Sequence, residues 1–328
     1  MKKGFYKYAA LVGKISISLV LLRFAFSDIA LGAAIEGISL LSWSIPALAL
    51  GIIFLQFFVA SLRQNQALNM LSTKITHGES FKIILIGSFF SQTFISFFGG
   101  DAMRIWHLKQ MGLKIRAVAR AVFLDRAIGF GGVILLIVIV LPGTSRLIEE
   151  PAVNWSLLIL AIVGIAGMLM FLVLGVIPER MYKLWNIGPL NDLIEISQKM
   201  VREPLRSAGI FFYSIVIQLL NVIAMYVLAH GFELNITLVQ CLMLVPPILF
   251  MAMLPISFAG WGIREGAMVI AFGFLGIPAE KAILVSMSFG LVLLSVSLLG
   301  GPIWLINRRK FVEINKIAAS GCQGNEID

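Results

Sequence analysis

The chain has 328 residues, 59% of them hydrophobic and only 13% charged, with a mean hydropathy of +0.96. Soluble domains carry about a quarter charged residues, so the composition excludes a soluble core and predicts an all-α polytopic membrane protein. The formal charge of +9 is scattered in short Lys/Arg clusters between apolar runs. That is the pattern of cytoplasmic membrane-protein loops, and it argues against a nucleic-acid partner.

In chain order, MKKGFYKYAALVGKISISLVLLRFAFSD starts basic and then apolar, like a signal peptide, but no small-x-small cleavage site closes it. It predicts an uncleaved first helix over 9–26 with its N-terminus inside. Apolar runs long enough to cross a bilayer follow at 43–62, 120–141, 155–177, 209–230 and 282–306, which makes six full spans. Two more runs are ambiguous. Residues 83–98, IILIGSFFSQTFISFF, are rich in hydroxyls and amide; residues 239–256, VQCLMLVPPILFMAMLPI, hold three prolines and precede a short apolar piece, 266–276.

The distribution of cations decides between topologies. If both ambiguous runs cross, the loop with Arg104, Lys109, Lys114, Arg116 and Arg120 faces outside, and so does the segment with Arg180, Lys183, Lys199, Arg202 and Arg206. If 83–98 instead enters and returns, both clusters join Lys2, Lys3, Lys7, Arg63, Lys74, Lys82 and the tail cations Arg308, Arg309 and Lys310 on the cytoplasmic side. With both termini cytoplasmic, 239–256 is a second re-entrant element, or else it crosses and 266–276 forms a bent pair with 282–306. Two re-entrant elements imply an internal polar cavity, because irregular backbone at membrane depth must be enclosed by protein or water. Residues 178–208 mix apolar and charged residues at helical spacing and predict a cytoplasmic amphipathic helix on anionic lipid. The prediction is a single integral membrane domain over 1–310, in halves near 1–150 and 151–310, with a cytoplasmic polar tail at 311–328.

The ambiguous segments echo one another. ISFFGGDAMRIWHLKQMGLKIRAVARAV from Ile95 and ISFAGWGIREGAMVIAFGFLGIPAEKAI from Ile256 share Ile-Ser-Phe-x-Gly, then an Arg within a residue of register, then Gly112-Leu113 and Gly276-Ile277. Gene duplication leaves such an offset of half a chain, and chance likeness of Gly/Phe/Ile-rich segments is the alternative. With the topology above, the two copies face opposite sides as an inverted repeat.

Three stretches carry a resemblance: FFGGDAMRIWHLKQMG, the Asp125-Arg126 pair in AVFLDRAIGF, and PISFAGWGIREGAMV. They resemble the lysylphosphatidylglycerol synthase transmembrane-region family, the flippase-like membrane domain also found in the multiple peptide resistance factor. Its Gly-Gly-(Asp/Glu)-x-x-Arg segment falls on Gly99, Gly100, Asp101 and Arg104, its acid–Arg pair on Asp125 and Arg126. Its Pro-x-x-x-Gly-Gly-x-Gly-x-Arg-Glu segment falls on Pro255, Gly260, Gly262, Arg264 and Glu265, with Trp261 at a position that is often glycine. The resemblance implies lipid translocation or related lipid handling; the synthase activity of larger members is not expected, since no soluble aminoacyl-transferase domain precedes Asp328.

Charges near the bilayer interior cost several kcal/mol, of order 3, unless paired or hydrated. A glycine turn at Gly260 and Gly262, a helix N-terminus and Arg264 make a site for a phospholipid or polyprenyl-phosphate head group, with Arg104 in the mirrored role. A structural ion pair is the alternative at both turns. Neighbours on a helix point about 100° apart, so Arg264 and Glu265 are expected to take different partners. Asp101, Asp125, Arg126 and Glu265 are candidates for holding the arginines or coupling protons, with Arg104–Asp125 as a cross-helix pair. Ser91, Gln92, Thr93, Gln218 and Asn221 are candidate cavity-lining residues. His77, His107 and His230 are dispersed, Cys241 and Cys322 lie far apart, and neither a catalytic set, a cofactor motif nor a metal spacing emerges. The expectation is a non-enzymatic lipid-handling protein of the inner membrane, partnered by membrane lipids. The alternative is a membrane subunit or partner of a separately encoded lipid- or glycolipid-modifying transferase.

Overall fold

The structure, a computed structural model, describes residues 41–93, 99–178, 188–254 and 260–307, and every regular element among them is a helix. The predicted span 9–26 and the tail 311–328 lie outside the described residues, as do positions 94–98 and 255–259 in the two turns. The helices are α1 (Ser44–Met70), α2 (His77–Thr93), α3 (Gly99–Gln110), α4 (Ile115–Leu147), α5 (Pro151–Leu174), α6 (Gly188–Arg202), α7 (Pro204–Gly231), α8 (Leu238–Met253), α9 (Ile263–Gly273) and α10 (Ala279–Leu298). After a single turn residue α10 continues to Asn307.

Five of these, α1, α4, α5, α7 and α10, are long and apolar enough to cross a membrane. They correspond to five of the six predicted spans, and the chain is an all-α polytopic membrane protein. The 17 residues of α2 and the 16 of α8 rise only about 25 Å at 1.5 Å per residue. That falls short of a hydrocarbon core of roughly 30 Å. Each is followed by a still shorter helix that folds back on it. Across α2 and α3, Gly100 lies against the Gly87 carbonyl and the Ser91 hydroxyl, while Gly87 lies against the Arg104 stem, so the two helices run antiparallel in close contact. Gly260, just ahead of α9, returns to Ala252 at the end of α8.

The turns of the first four helices recur in the last four, 161 residues on for the first two and 164 for the third. Among the described residues only Ser72 (φ 61°) and Glu233 (φ 56°) are non-glycines with positive φ, and each ends a long helix, α1 or α7. Thr73 N–H donates to Leu68 O at 2.9 Å and Leu234 N–H to Ala229 O at 3.1 Å, while Ser72 and Glu233 donate to Asn69 O and His230 O, both at 3.0 Å. These are the paired bonds of a Schellman C-cap. Thr76 and Thr237 then cap α2 and α8 by accepting from Glu79 N–H and Gln240 N–H, both at 3.2 Å. Further on, Gly112 (φ 85°) and Gly276 (φ 69°) close α3 and α9, with Leu113 N–H donating to Leu108 O and Ile277 N–H to Phe272 O.

Helices α1 and α7 pack along one another at the centre, α4 packs against α8, and α10 packs against α2. The Ser88 and Ser297 hydroxyls meet at 2.6 Å across the last contact. One apolar core joins α1, α7, α8 and α10, and a second joins the end of α1 to α4 and α6. Helix α5 is apolar on all sides and fully buries only Ala161; it packs on α4 and α6 and leaves its outer face to lipid.

The amphipathic stretch differs from its expectation. The apolar residues of α6, Ile194, Ile196 and Met200, are buried in protein against α5 and α7, so they do not face lipid. Arg116 binds Asp192 at 2.7 Å, and Arg120 binds both Asp192 and Glu195. Burial opposes ionisation of Asp192, but the hydrogen bonds from Arg116 and Arg120 outweigh it and hold its carboxyl below the usual range.

Candidate functional site

Three helices bring charge to one place. The last turns of α1 supply Arg63 and Gln64, α3 supplies Asp101 and Arg104, and α4 supplies Asp125 and Arg126. Asp125, 2% exposed, accepts from Arg63 Nε through Oδ1 at 2.8 Å and from Arg104 Nη2 through Oδ2 at 2.8 Å. Arg104 also reaches Asp101 Oδ1 at 3.3 Å, and Arg126 Nε donates to Asp101 Oδ2 at 2.7 Å. The result is an alternating chain, Arg63–Asp125–Arg104–Asp101–Arg126, in which each carboxylate is shared by two guanidiniums. Gln64 Oε1 takes two further N–H groups of Arg104, at 3.1 and 2.8 Å. Arg63 Nη1 donates to Ser214 on α7 at 3.0 Å. Buried charges persist when they are paired and hydrogen-bonded, and here both carboxylates are shared between guanidiniums, while Gln64 and Ser214 add hydrogen bonds to Arg104 and Arg63.

A second cluster stands at the start of α9. Gly262 has φ 87°, a conformation that a side chain disfavours, and its N–H donates to Glu265 Oε2 at 2.6 Å. Glu265 is wholly buried. Its Oε1 accepts from Arg264 Nη2 at 2.7 Å and from Ser286 Oγ at 2.9 Å, and Arg264 Nε donates to Ser286 at 3.0 Å. Trp261 lies over the Arg264 guanidinium at 4.9 Å from the ring centroid, with Phe289 at 5.7 Å, which favours the cation further.

The expectation that Arg264 and Glu265 take different partners is thus corrected. Glu265 curls back onto Gly262 N–H at the helix start, as an acid in the first turn does, and this carries its other oxygen round to Arg264. The expected Arg104–Asp125 pair and the local Asp101–Arg104 pair are both present.

Both clusters open onto one cavity of about 360 Å³. Arg104, Arg264, Asp101, Asp125, Arg126 and Gly260 line it, as do Ser91, Gln92, Gln218 and Asn221. Thr93 does not: it is exposed and donates its hydroxyl to Phe89 O at 2.6 Å. Gly262 and Glu265 stand behind the wall, their polar groups spent on each other and on Arg264. The sequence reading missed Arg63, Gln56, Gln64 and Ser286. Arg63 resembled a loop cation at the end of a span, and the signal for it was the partner that a buried Asp125 requires. Gln56 lines the cavity, and its buried Oε1 has no hydrogen-bond partner, a state a ligand or water would relieve.

Comparison with known families gives one match. The family model described as Lysylphosphatidylglycerol synthase TM region matches residues 11–301. No curated protein matches the chain.

Proposed function

We propose, for a chain that belongs to the lysylphosphatidylglycerol synthase TM region family, that the shared cavity receives the phosphate-bearing head group of a lipid and passes it between leaflets while the acyl chains stay in the bilayer. The observation that carries this reading is the convergence of Arg104 and Arg264, from two distant segments, on one cavity. Guanidiniums are the preferred partners of phosphate, and buried charge at membrane depth defaults to function.

The paired turns at Ser72/Glu233, Thr76/Thr237 and Gly112/Gly276 support an inverted repeat of α1–α4 and α7–α10. Between the two units α5 is the odd crossing that turns the second one over. In this arrangement α2–α3 and α8–α9 are re-entrant hairpins entered from opposite sides, and both termini are cytoplasmic in the inner membrane. Such a pseudo-symmetric pair around a midplane site can expose that site to each side in turn.

Reconstitution in liposomes with acyl-labelled phospholipids or polyprenyl phosphates, following inter-leaflet movement, tests this. Removing Arg104 alone would leave one oxygen of Asp125 unmet, with only Arg63 on the other, so the informative variant is Arg104→Gln with Asp125→Asn, beside Arg264→Gln with Glu265→Gln. Each pair should slow movement about tenfold or more, since a charged hydrogen bond is worth about 1.5–3 kcal/mol. Wild-type rates in both folded variants would sink the head-group role. The family description names a synthase, which favours a second reading, a membrane partner of a separate lipid-modifying transferase. Co-purification of such an enzyme with the chain would support it.

A further inference from the structure

We propose a second lipid site, separate from the central cavity: the hollow where α4 meets α5 binds one phospholipid whose head group ends in a primary ammonium. The hollow has a volume of about 480 Å³, and its wall includes Leu141, Ser145, Glu149, Asn154, Trp155 and Leu158. None of these residues lines the central cavity.

The wall is graded along the membrane normal. Helices α4 and α5 are both long and apolar enough to cross the membrane, and both end at the loop 148–150, so distance from that loop is depth. Glu149 stands in the loop itself, Ser145 in the last turn of α4, and Asn154 and Trp155 near the start of α5. Leu141 and Leu158 lie about 10 Å in from their helix ends, at 1.5 Å per residue. Polar groups at the surface and apolar ones beneath match a lipid with its head outward and its chains inward.

The polar groups of this wall present acceptors. Asn154 Nδ2 donates to Ile148 O at 2.7 Å, which fixes the amide; its Oδ1 is buried and has no hydrogen-bond partner. Ser145 spends its hydroxyl proton on Pro142 O at 3.1 Å and keeps its lone pairs. Glu149 is exposed and makes no ion pair among the described residues. No Lys, Arg or His among them stands on the wall, Arg146 included. A buried acceptor left unmet is costly, and an N–H donor relieves it. A primary ammonium brings both the N–H groups that Asn154 needs and the charge opposite to that of Glu149. A quaternary ammonium has the charge without the N–H, and a hydroxylated head group has the donor without the charge. Trp155, 64% exposed, offers its ring face to the cation. Its indole N–H, the remaining side-chain donor on the wall, suits a phosphate or ester oxygen of the same lipid. A soluble amine would leave Leu141 and Leu158 uncovered.

The test uses the full chain, delipidated in detergent, and native mass spectrometry with three lipids of identical acyl chains: phosphatidylethanolamine, phosphatidylcholine and phosphatidylglycerol. Phosphatidylethanolamine is expected to bind about tenfold more tightly than either other lipid. Equal affinities for all three would overturn the ammonium selection. Glu149→Gln, at an exposed position, should bring phosphatidylethanolamine down to the level of phosphatidylcholine, and Asn154→Leu should weaken it in the same direction. A preference unchanged in Glu149→Gln would place the selective site elsewhere and overturn the assignment. Excess glycerophosphoethanolamine, the same head group without chains, should not displace the bound lipid; displacement would make this a site for a soluble amine and overturn the lipid.

Discussion

Asp125 cannot lift its short side chain to the membrane surface as an arginine can, so its charge must be met where it stands. Arg63 and Arg104 meet it, one on each oxygen. Asp125→Asn keeps the shape and removes the charge, leaving two guanidiniums facing an amide that can accept from only one side. Loss of one partner from a buried pair costs about 3–5 kcal/mol, and thermal unfolding in detergent should show destabilisation of that order. Adding Arg63→Gln to the same chain should recover part of the loss, because one of the stranded cations is then gone. A double variant no more stable than Asp125→Asn would mean that the two residues are not coupled. How much of this site was legible follows from the same physics. Asp125, Arg104 and Arg264 stand out because a charge within an apolar run needs an explanation. Arg63 closes an apolar run beside polar residues, where positive-inside counting treats it as solvated, and no local spacing reveals that α1 carries it to α4.

At the scale of elements, the closing turns of α3 and α9 make an isolated test of backbone conformation. A Cβ added at Gly112 or Gly276 meets no other atom within 4 Å, so substitution there costs only the left-handed conformation. Gly112→Ala and Gly276→Ala should each destabilise by about 1–2 kcal/mol, and by similar amounts, in chemical unfolding. A much larger loss at one would mean that its turn bears a load the other does not. Helix α6 adds a pH test. The carboxyl of Asp192 is held below its ordinary value of 3.8, so its contribution to docking α6 on α4 is fully present above that value and is lost as the pH falls through the depressed one. Hydrogen exchange over α6 should therefore be flat from neutral pH down to about pH 4 and rise below it, once corrected for intrinsic rates. Arg120→Gln should raise it at neutral pH. The existence of most long helices was readable from apolar length alone, but not their ends: α1 runs 8 residues past its predicted apolar run, and α4 extends 5 residues before and 6 after its own. What α6 packs on was not, because an amphipathic face declares that it is buried and not whether lipid or protein covers it.

For the whole molecule, the likeness of the two halves was visible in sequence only around the two glycine turns, where conformation restricts residue choice. Elsewhere any apolar residue serves a lipid-facing or core position, so the likeness of α1 to α7 lies in turn geometry and caps rather than in letters. The helix exchange between the units, α4 on α8 and α10 on α2, was not legible at all, since the contacts join segments far apart in the chain. Under the proposed translocation, that exchange is where the molecule has to give. If the cavity opens to each side in turn, a hairpin must move relative to the long helix of the other unit that it packs on. Ser88 on α2 and Ser297 on α10 touch at 2.6 Å across such a contact, close to the separation of two bonded sulfurs, about 2.0 Å. Ser88→Cys with Ser297→Cys should therefore cross-link under mild oxidation and hold α2 to α10. Native Cys241 is buried and should not interfere in this region. Oxidation is expected to stop inter-leaflet lipid movement and reductant to restore it, while each single variant keeps wild-type rates under both conditions. Full movement in the cross-linked protein would show that the α2–α10 contact stays fixed through the cycle, and the moving boundary would then have to be sought at the contact of α4 with α8.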